Sequence, residues 1–282
     1  MTNEPIHFTD EHFEPQHSAN CHLLIGLNPD SYWYSIIDLS ENRISAFGKK
    51  YSPNNTDQSL LQQFDNFRAE NEHLNLDYKK VKLSIGTRSF TFIPENLFQN
   101  GSLSDYSKFI GAQAEDILLN TFIEPVGIRN VIAAEPELIG SFQNIFSAPL
   151  IVSQVDVMIK AAYKLSANGN GSELFLNFNA RNFEAVVIRN GQFEFYNIFD
   201  ISTADDFNYF LLILLTQLDI DRSKPVTISG EIELQNEFHN RLTKYFENVS
   251  FADPRAYFNN SQAFEELDPH VFVSVLGLYL CG

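Results

Sequence analysis

"LFLNFNARNFEAVVI", Leu174 to Ile188, is an apolar run, a polar turn and a second apolar run. The same arrangement occurs earlier as "LLIGLNPDSYWYSII", Leu23 to Ile37. The two stretches align at a constant offset, and each reads as strand, turn, strand. Each continues into a further turn and a third strand. The first copy turns at "LSENR" and runs on from about Ile44 to Tyr51. The second turns at Arg189-Asn190-Gly191, where Asn and Gly tolerate the positive φ of a tight hairpin, and runs on from about Gln192 to Ile198. A three-stranded meander therefore occurs twice.

A helix pattern follows each meander. In the first copy Thr56 and Asp57 are candidate caps, and Leu60, Leu61, Phe64 and Phe67 share a face. In the second, Thr203 and Asp205 open an apolar helix over 204–218, expected to be buried on most sides. Further strands are predicted at 81–85, 89–93, 117–123, 129–133, 226–229 and 249–251. Further helices are predicted near 104–111, 135–146, 155–165, 234–246 and 269–280, with a loop or frayed helix over 253–269. Strands separated by helices should run parallel to the first strand of each copy. The expected fold is α/β: two lobes, each a mixed sheet of an antiparallel meander plus parallel strands, flanked by helices. The predicted division is an N-terminal extension (1–20), a first lobe (21–165), a linker "SANGNGSE" (166–173) and a second lobe (174–282). A cleft between the lobes is the natural ligand site.

Composition narrows the partners. The 282 residues carry a formal net charge of −17, with 19 basic against 36 acidic side chains. Nucleic acid and anionic membrane need clustered Lys and Arg, and the only basic pairs are Lys49-Lys50 and Lys79-Lys80. The longest apolar run, Phe207 to Leu218, is too short to span a bilayer. The polar, acidic start "MTNEPIHFTDEHFEPQH" lacks the apolar segment of a secretory signal, so a soluble cytoplasmic protein is expected. Cys21 and Cys281 stand at opposite ends of the chain and imply no disulfide framework. His7, His12, His17 and His22 recur every five residues, which is not zinc-ligand spacing. The aromatic strand "SYWYSIID" should supply core, with Trp33 or the alternate tyrosines at a surface edge.

The duplicated topology resembles the actin-like ATPase (ribonuclease H-like) superfamily over nearly the whole chain. More narrowly, "SFTFIPENLF" (Ser89 to Phe98) and "VIAAEPELIGSF" (Val131 to Phe142) resemble segments of an uncharacterised bacterial family assigned to that fold. The resemblance implies two hairpin turns that grip nucleotide phosphates, each marked by Asp-x-Gly, the Asp holding Mg²⁺ and the Gly opening backbone N–H groups to phosphate. A third element, strand-Gly-Gly-helix, would lie against adenosine.

All three elements depart from that pattern here. The first turn puts Gly26 at the acid position and Asn28 at the glycine position, with Pro29 removing a donor; Asp30 stands too far along, followed by Ser31. The second puts Asn177 and Asn179 at those positions, followed by Arg181. The third keeps Gly230 but follows it with Glu231, whose carboxylate would repel a nucleotide if it pointed inward. Each group also has a plain reading. Asn, Pro and Asp build hairpin turns without any ligand, Arg181 alone offers an anion contact, and Ser229-Gly230 suits a strand-to-helix corner. Glu135, which the resemblance would let position a water, precedes Pro136 at a self-sufficient helix start.

The reading is a pseudo-ATPase: a non-catalytic actin-like protein without cofactor or metal, acting as a binding or scaffold module for a protein partner. The alternative is a divergent ATP-binding protein or phosphotransferase using ATP with Mg in the interlobe cleft.

Overall fold

The structure, a computed structural model, describes residues 4–52, 58–99, 101, 103–166, 171–259 and 261–282. The candidate caps Thr56 and Asp57 lie outside the described residues.

The first copy of the repeat forms β1 (Ile6–Thr9), β2 (Cys21–Leu27), β3 (Ser31–Asp38), β4 (Arg43–Tyr51), α1 (Leu60–Glu70), β5 (Lys80–Ile85), β6 (Phe90–Pro94), α2 (Leu103–Ile110), β7 (Ile117–Ile123), β8 (Ile128–Ala134), α3 (Pro136–Ile145), β9 (Leu150–Ser153) and α4 (Gln154–Leu165). The second forms β10 (Ser172–Phe178), β11 (Asn182–Arg189), β12 (Gln192–Asp200), α5 (Ala204–Gln217), β13 (Val226–Gly230), α6 (Glu237–Leu242), β14 (Val249–Phe251), α7 (Ala263–Glu266) and α8 (Val273–Tyr279).

Helix starts follow local chemistry. Ser59 caps α1, Ser153 caps α4 and Thr203 caps α5, each in a reciprocal capping box with the third helical residue. The 234–246 helix is shorter than expected: Gln235 takes a positive φ of 65° and Asn236 caps α6.

The first sheet has the order β1-β4-β3-β2-β5-β9, the second β12-β11-β10-β13-β14. The meanders pair antiparallel, and β5, β13 and β14 add in parallel, as expected; β9, a strand the sequence reading did not predict, adds in parallel beside β5. Residues 6–9 are not loose; β1 pairs with β4 at the edge of the first sheet. Strands β6, β8 and β7 do not join that sheet but form a separate antiparallel one of three strands.

Each main sheet is covered on both faces, which is why its strands read as near-continuous apolar runs. Outer faces pack on α1 and α3 in the first lobe, through Tyr34, Phe64, Phe67 and Phe142, and on α5 and α6 in the second. Helix α5 buries only one face, because Tyr209 on the opposite side is 61% exposed. Inner faces pack on α4 and α8, which lie against each other between the sheets. The C-terminal segment thus returns to the first sheet. Trp33 is buried there with Phe47 and Phe272, so no part of "YWY" forms a surface edge. Buried Lys82 on β5 donates to the carbonyls of Tyr279 (2.7 Å) and Cys281 (2.6 Å), a cation at the C-terminal end of α8. Burial lowers the Lys82 ammonium to about 8.

The three-stranded sheet adds a clamp between the lobes. Phe90 meets Tyr196 with ring centroids 5.6 Å apart, and Phe92 meets Phe193 at 5.4 Å, both edge-to-face. Among the described residues no helix is long and apolar enough to cross a membrane.

Candidate functional site

The two hairpin turns face each other across the cleft at the carboxyl ends of β2 and β10. In the first, Asn28 and Ser31 exchange backbone hydrogen bonds of 2.8 and 3.3 Å. In the second, the Asn179 N–H donates to Asn182 at 2.8 Å. Both are closed turns that need no ligand, yet they touch. The Asp30 carboxylate accepts from the Arg181 backbone N–H (3.3 Å) and the Asn182 side-chain amide (3.0 Å). The Arg181 guanidinium donates to the Ser52 carbonyl at 3.0 Å. Ser31 is buried and its hydroxyl donates to Asp30 at 3.2 Å.

Below the turns lies a carboxylate network. Glu184, 1% exposed, accepts from Tyr196 (2.6 Å), Asn177 (2.8 Å), Gln154 (3.3 Å) and Asn179 (3.3 Å). Burial pushes its carboxyl above the ordinary value, and these hydrogen bonds pull it back. Gln154 also accepts from Ser84 at 3.0 Å, tying the network to the first lobe. Asn177 accepts from Ser229 at 3.0 Å.

A third bridge is ionic. Lys49 on β4 donates to Glu231, just beyond β13, at 2.5 Å, with both side chains 9% exposed. Glu231 therefore points into the cleft, and a cation from the opposite lobe neutralises it. Burial above all, and then Glu231, raises the Tyr51 phenol beside this pair. Gly230 has a φ of 79°, and a Cβ there would stand 2.1 Å from the Phe178 carbonyl oxygen, so only glycine fits the corner.

Trp33 explains the other unusual residue. It pairs across the sheet with Gly26, and a Cβ on residue 26 would lie 2.2 Å from the indole. The ring fills the space that a side chain at this position would occupy. Bridges and ring divide the cleft. A void of about 20 Å³ lies between the turns, bounded by Asn28, Trp33, Lys49, Asn177 and Gly230. A cavity of about 450 Å³ adjoins Tyr51, Gly230, Glu231 and His270. Another of about 340 Å³ adjoins Asn28, Asp30, Arg88, Arg181 and Glu184.

The structure thus gathers Asn28, Asp30, Ser31, Asn177, Asn179, Arg181, Gly230 and Glu231 at one cleft. Sequence reasoning passed over Lys49, Gln154, Glu184 and Trp33. Glu184 carried a signal, as the single charge in the apolar strand "FEAVVI". Lys49 carried none, since its partner is 182 residues away. Glu135 is an exposed helix-start residue whose side chain makes no capping bond. Among the described residues, no group of three or more His, Cys, Asp or Glu is placed to hold a metal ion.

Comparison with solved structures establishes the fold. The chain matches a Bacteroides thetaiotaomicron protein described as having an actin-like ATPase fold and unknown function, with a TM-score of 0.79 and 18% identity over 96% of this chain and 99% of that one. It also matches a chain of a PilM-PilN type IV pilus biogenesis complex, with a TM-score of 0.64 and 13% identity over 92% and 97%. No curated protein matches the sequence. The chain has the actin-like ATPase fold. Because residues 10–249 match the family described as "Protein of unknown function (DUF3822)", the chain belongs to that family.

Proposed function

We propose that this chain is a non-catalytic actin-like protein, a cytoplasmic binding or scaffold module for a protein partner. The Trp33 indole over Gly26 carries the reading. The fold's metal-holding acid would stand at that position, and no side chain fits there. The void left between the turns, about 20 Å³, holds roughly one water and not a polyphosphate. The bridges from Lys49 to Glu231 and from Asp30 to Arg181 and Asn182 occupy the remaining contact points with the protein's own side chains. The similarity to the PilM-PilN chain supports a partner-binding role for such a frame.

One observation favours a divergent nucleotide-binding protein: the cavity of about 450 Å³ lies against Gly230, where the fold would receive adenosine. A thermal melt with Mg-ATP separates the two readings. Nucleotide at about one hundred times its Kd stabilises by about 2.7 kcal/mol, a rise of several degrees in Tm for a chain of this size. The proposal expects no Mg-dependent rise; a clear one overturns it.

A further inference from the structure

We propose that the groove beside Gly230 docks a positively charged, extended segment of a protein partner. The proposal rests on the binding-module reading and names the partner's chemistry.

Two cavities make the groove. One of about 450 Å³ is walled by Ile6, Leu267 and Val271, and one of about 370 Å³ by Leu234, Phe251 and Pro269. Glu233, Asp268 and His270 line both and mark where they meet. Leu234 stands 66% exposed at the rim. On the first lobe the groove begins at Glu4 to His7, which lead into β1. That strand ends its sheet and pairs only with β4. An open strand edge beside side-chain pockets suits an extended peptide.

The charges are one-sided. Glu4, Glu231, Glu233, Asp253 and Asp268 line the groove against Lys49 and Arg255, so five carboxylates face two cations and −3 remains. Both cations are already paired, Lys49 with Glu231 at 2.5 Å and Arg255 with Asp253 at 2.6 Å. Glu4, Glu233 and Asp268 form no salt bridge among the described residues. Unpaired carboxylates beside apolar wall attract a cation and repel a nucleotide's phosphates.

His270 adds an uncharged acceptor. It is 7% exposed, and its Nε2 donates to the Ile232 carbonyl at 2.9 Å. Burial lowers its imidazole, which keeps the ring neutral. The bond to Ile232 fixes the proton on Nε2 and leaves Nδ1 a bare acceptor. Nδ1 has no partner among the described residues and is not sealed in the interior, so it opens into the groove. Buried polar side chains are ordinarily paired, so this nitrogen points to a donor that the partner brings. A Lys or Arg side chain supplies both the donor and the positive charge.

The test is calorimetry on the full chain with acetyl-Leu-Lys-Leu-Lys-Leu-amide, its Gln and Glu counterparts, and 1,5-diaminopentane. The Lys peptide should bind with a Kd below about 1 mM. The Gln and Glu peptides should bind at least about tenfold more weakly for want of the charge. Diaminopentane should do so too, because it matches the peptide's charge without its apolar side chains or backbone. Glu233→Gln with Asp268→Asn should weaken the Lys peptide at least about tenfold, and the fold should tolerate both changes because the side chains are exposed. Glu115→Gln with Glu124→Gln removes the same charge from exposed positions outside the groove and should change binding less than about twofold. Three results overturn the proposal: no binding of the Lys peptide up to about 1 mM, another probe binding as tightly, or equal losses in the two double variants. A Mg-ATP melt run alongside reports on the binding-module reading separately, so either can fail alone.

Discussion

Removing the Lys49 charge should be expensive, and removing Glu231 with it should not. The pair bridges the two lobes at 2.5 Å with both side chains 9% exposed. Lys49→Met removes the ammonium, which also stands 5.3 Å from the Tyr51 ring centroid, and strands the Glu231 carboxylate in the cleft wall. Breaking a buried pair from one side costs about 3–5 kcal/mol, because the surviving charge has lost its solvent and its partner. The residual exposure places this case near about 3 kcal/mol. Glu231→Met should cost a similar amount. The double substitution Lys49→Met with Glu231→Met removes both desolvation penalties and should return to within about 1 kcal/mol of wild type. Urea denaturation of the four proteins gives the cycle, and these costs imply a coupling energy of about 5 kcal/mol. Salt up to about 0.15 M should change it little, since buried pairs are weakly screened. Single substitutions that each cost under about 1 kcal/mol, with no coupling, would show that the two side chains are solvated and the lobes are not latched there.

Two further outcomes follow from the geometry. Gly26→Ala pushes a methyl to within 2.2 Å of the Trp33 indole and should cost about 1–3 kcal/mol as overpacking, with Trp33→Leu restoring part of it; a neutral Gly26→Ala in thermal melts removes the case that the ring excludes a side chain. His22 has a buried Nδ1 without a partner among the described residues, and burial, then Lys82, Lys80 and Lys79, lowers its imidazole to about 4. The fold therefore holds it neutral, so its contribution is present above pH ~6.5 and is lost as pH falls through 4. Wild-type Tm should fall more steeply than that of His22→Phe between those values, and parallel curves would contradict the assignment.

Much of the architecture was legible because its signals are local. Apolar runs broken by polar turns, Asn190-Gly191 at a hairpin, and Thr203 before a helix act over a few residues, and each forms the expected element. Strand β9 was missed because Leu150–Ser153 is four residues long and runs straight into α4, so no turn residue separates the two periods. The three-stranded sheet was missed as a separate unit for a different reason. Its strands were read correctly, but whether β6 extends the first sheet or starts another depends on what covers it, here Tyr196 and Phe193 from the other lobe. The burial of Trp33 has the same origin: α8 and the residues before it return from the far end of the chain.

The candidate site divides along the same line. The sequence by itself determined that two equivalent turns exist, that neither carries Asp-x-Gly, and that Gly230 stands at the corner after β13. These are properties of a residue and its near neighbours. Tertiary structure alone decided what fills the cleft: Trp33 over Gly26, Lys49 on Glu231, and Asp30 on Arg181 and Asn182. Those partners lie on different strands or different lobes. Their interaction depends on distances of a few ångströms that only the packing of two sheets around α4 and α8 sets.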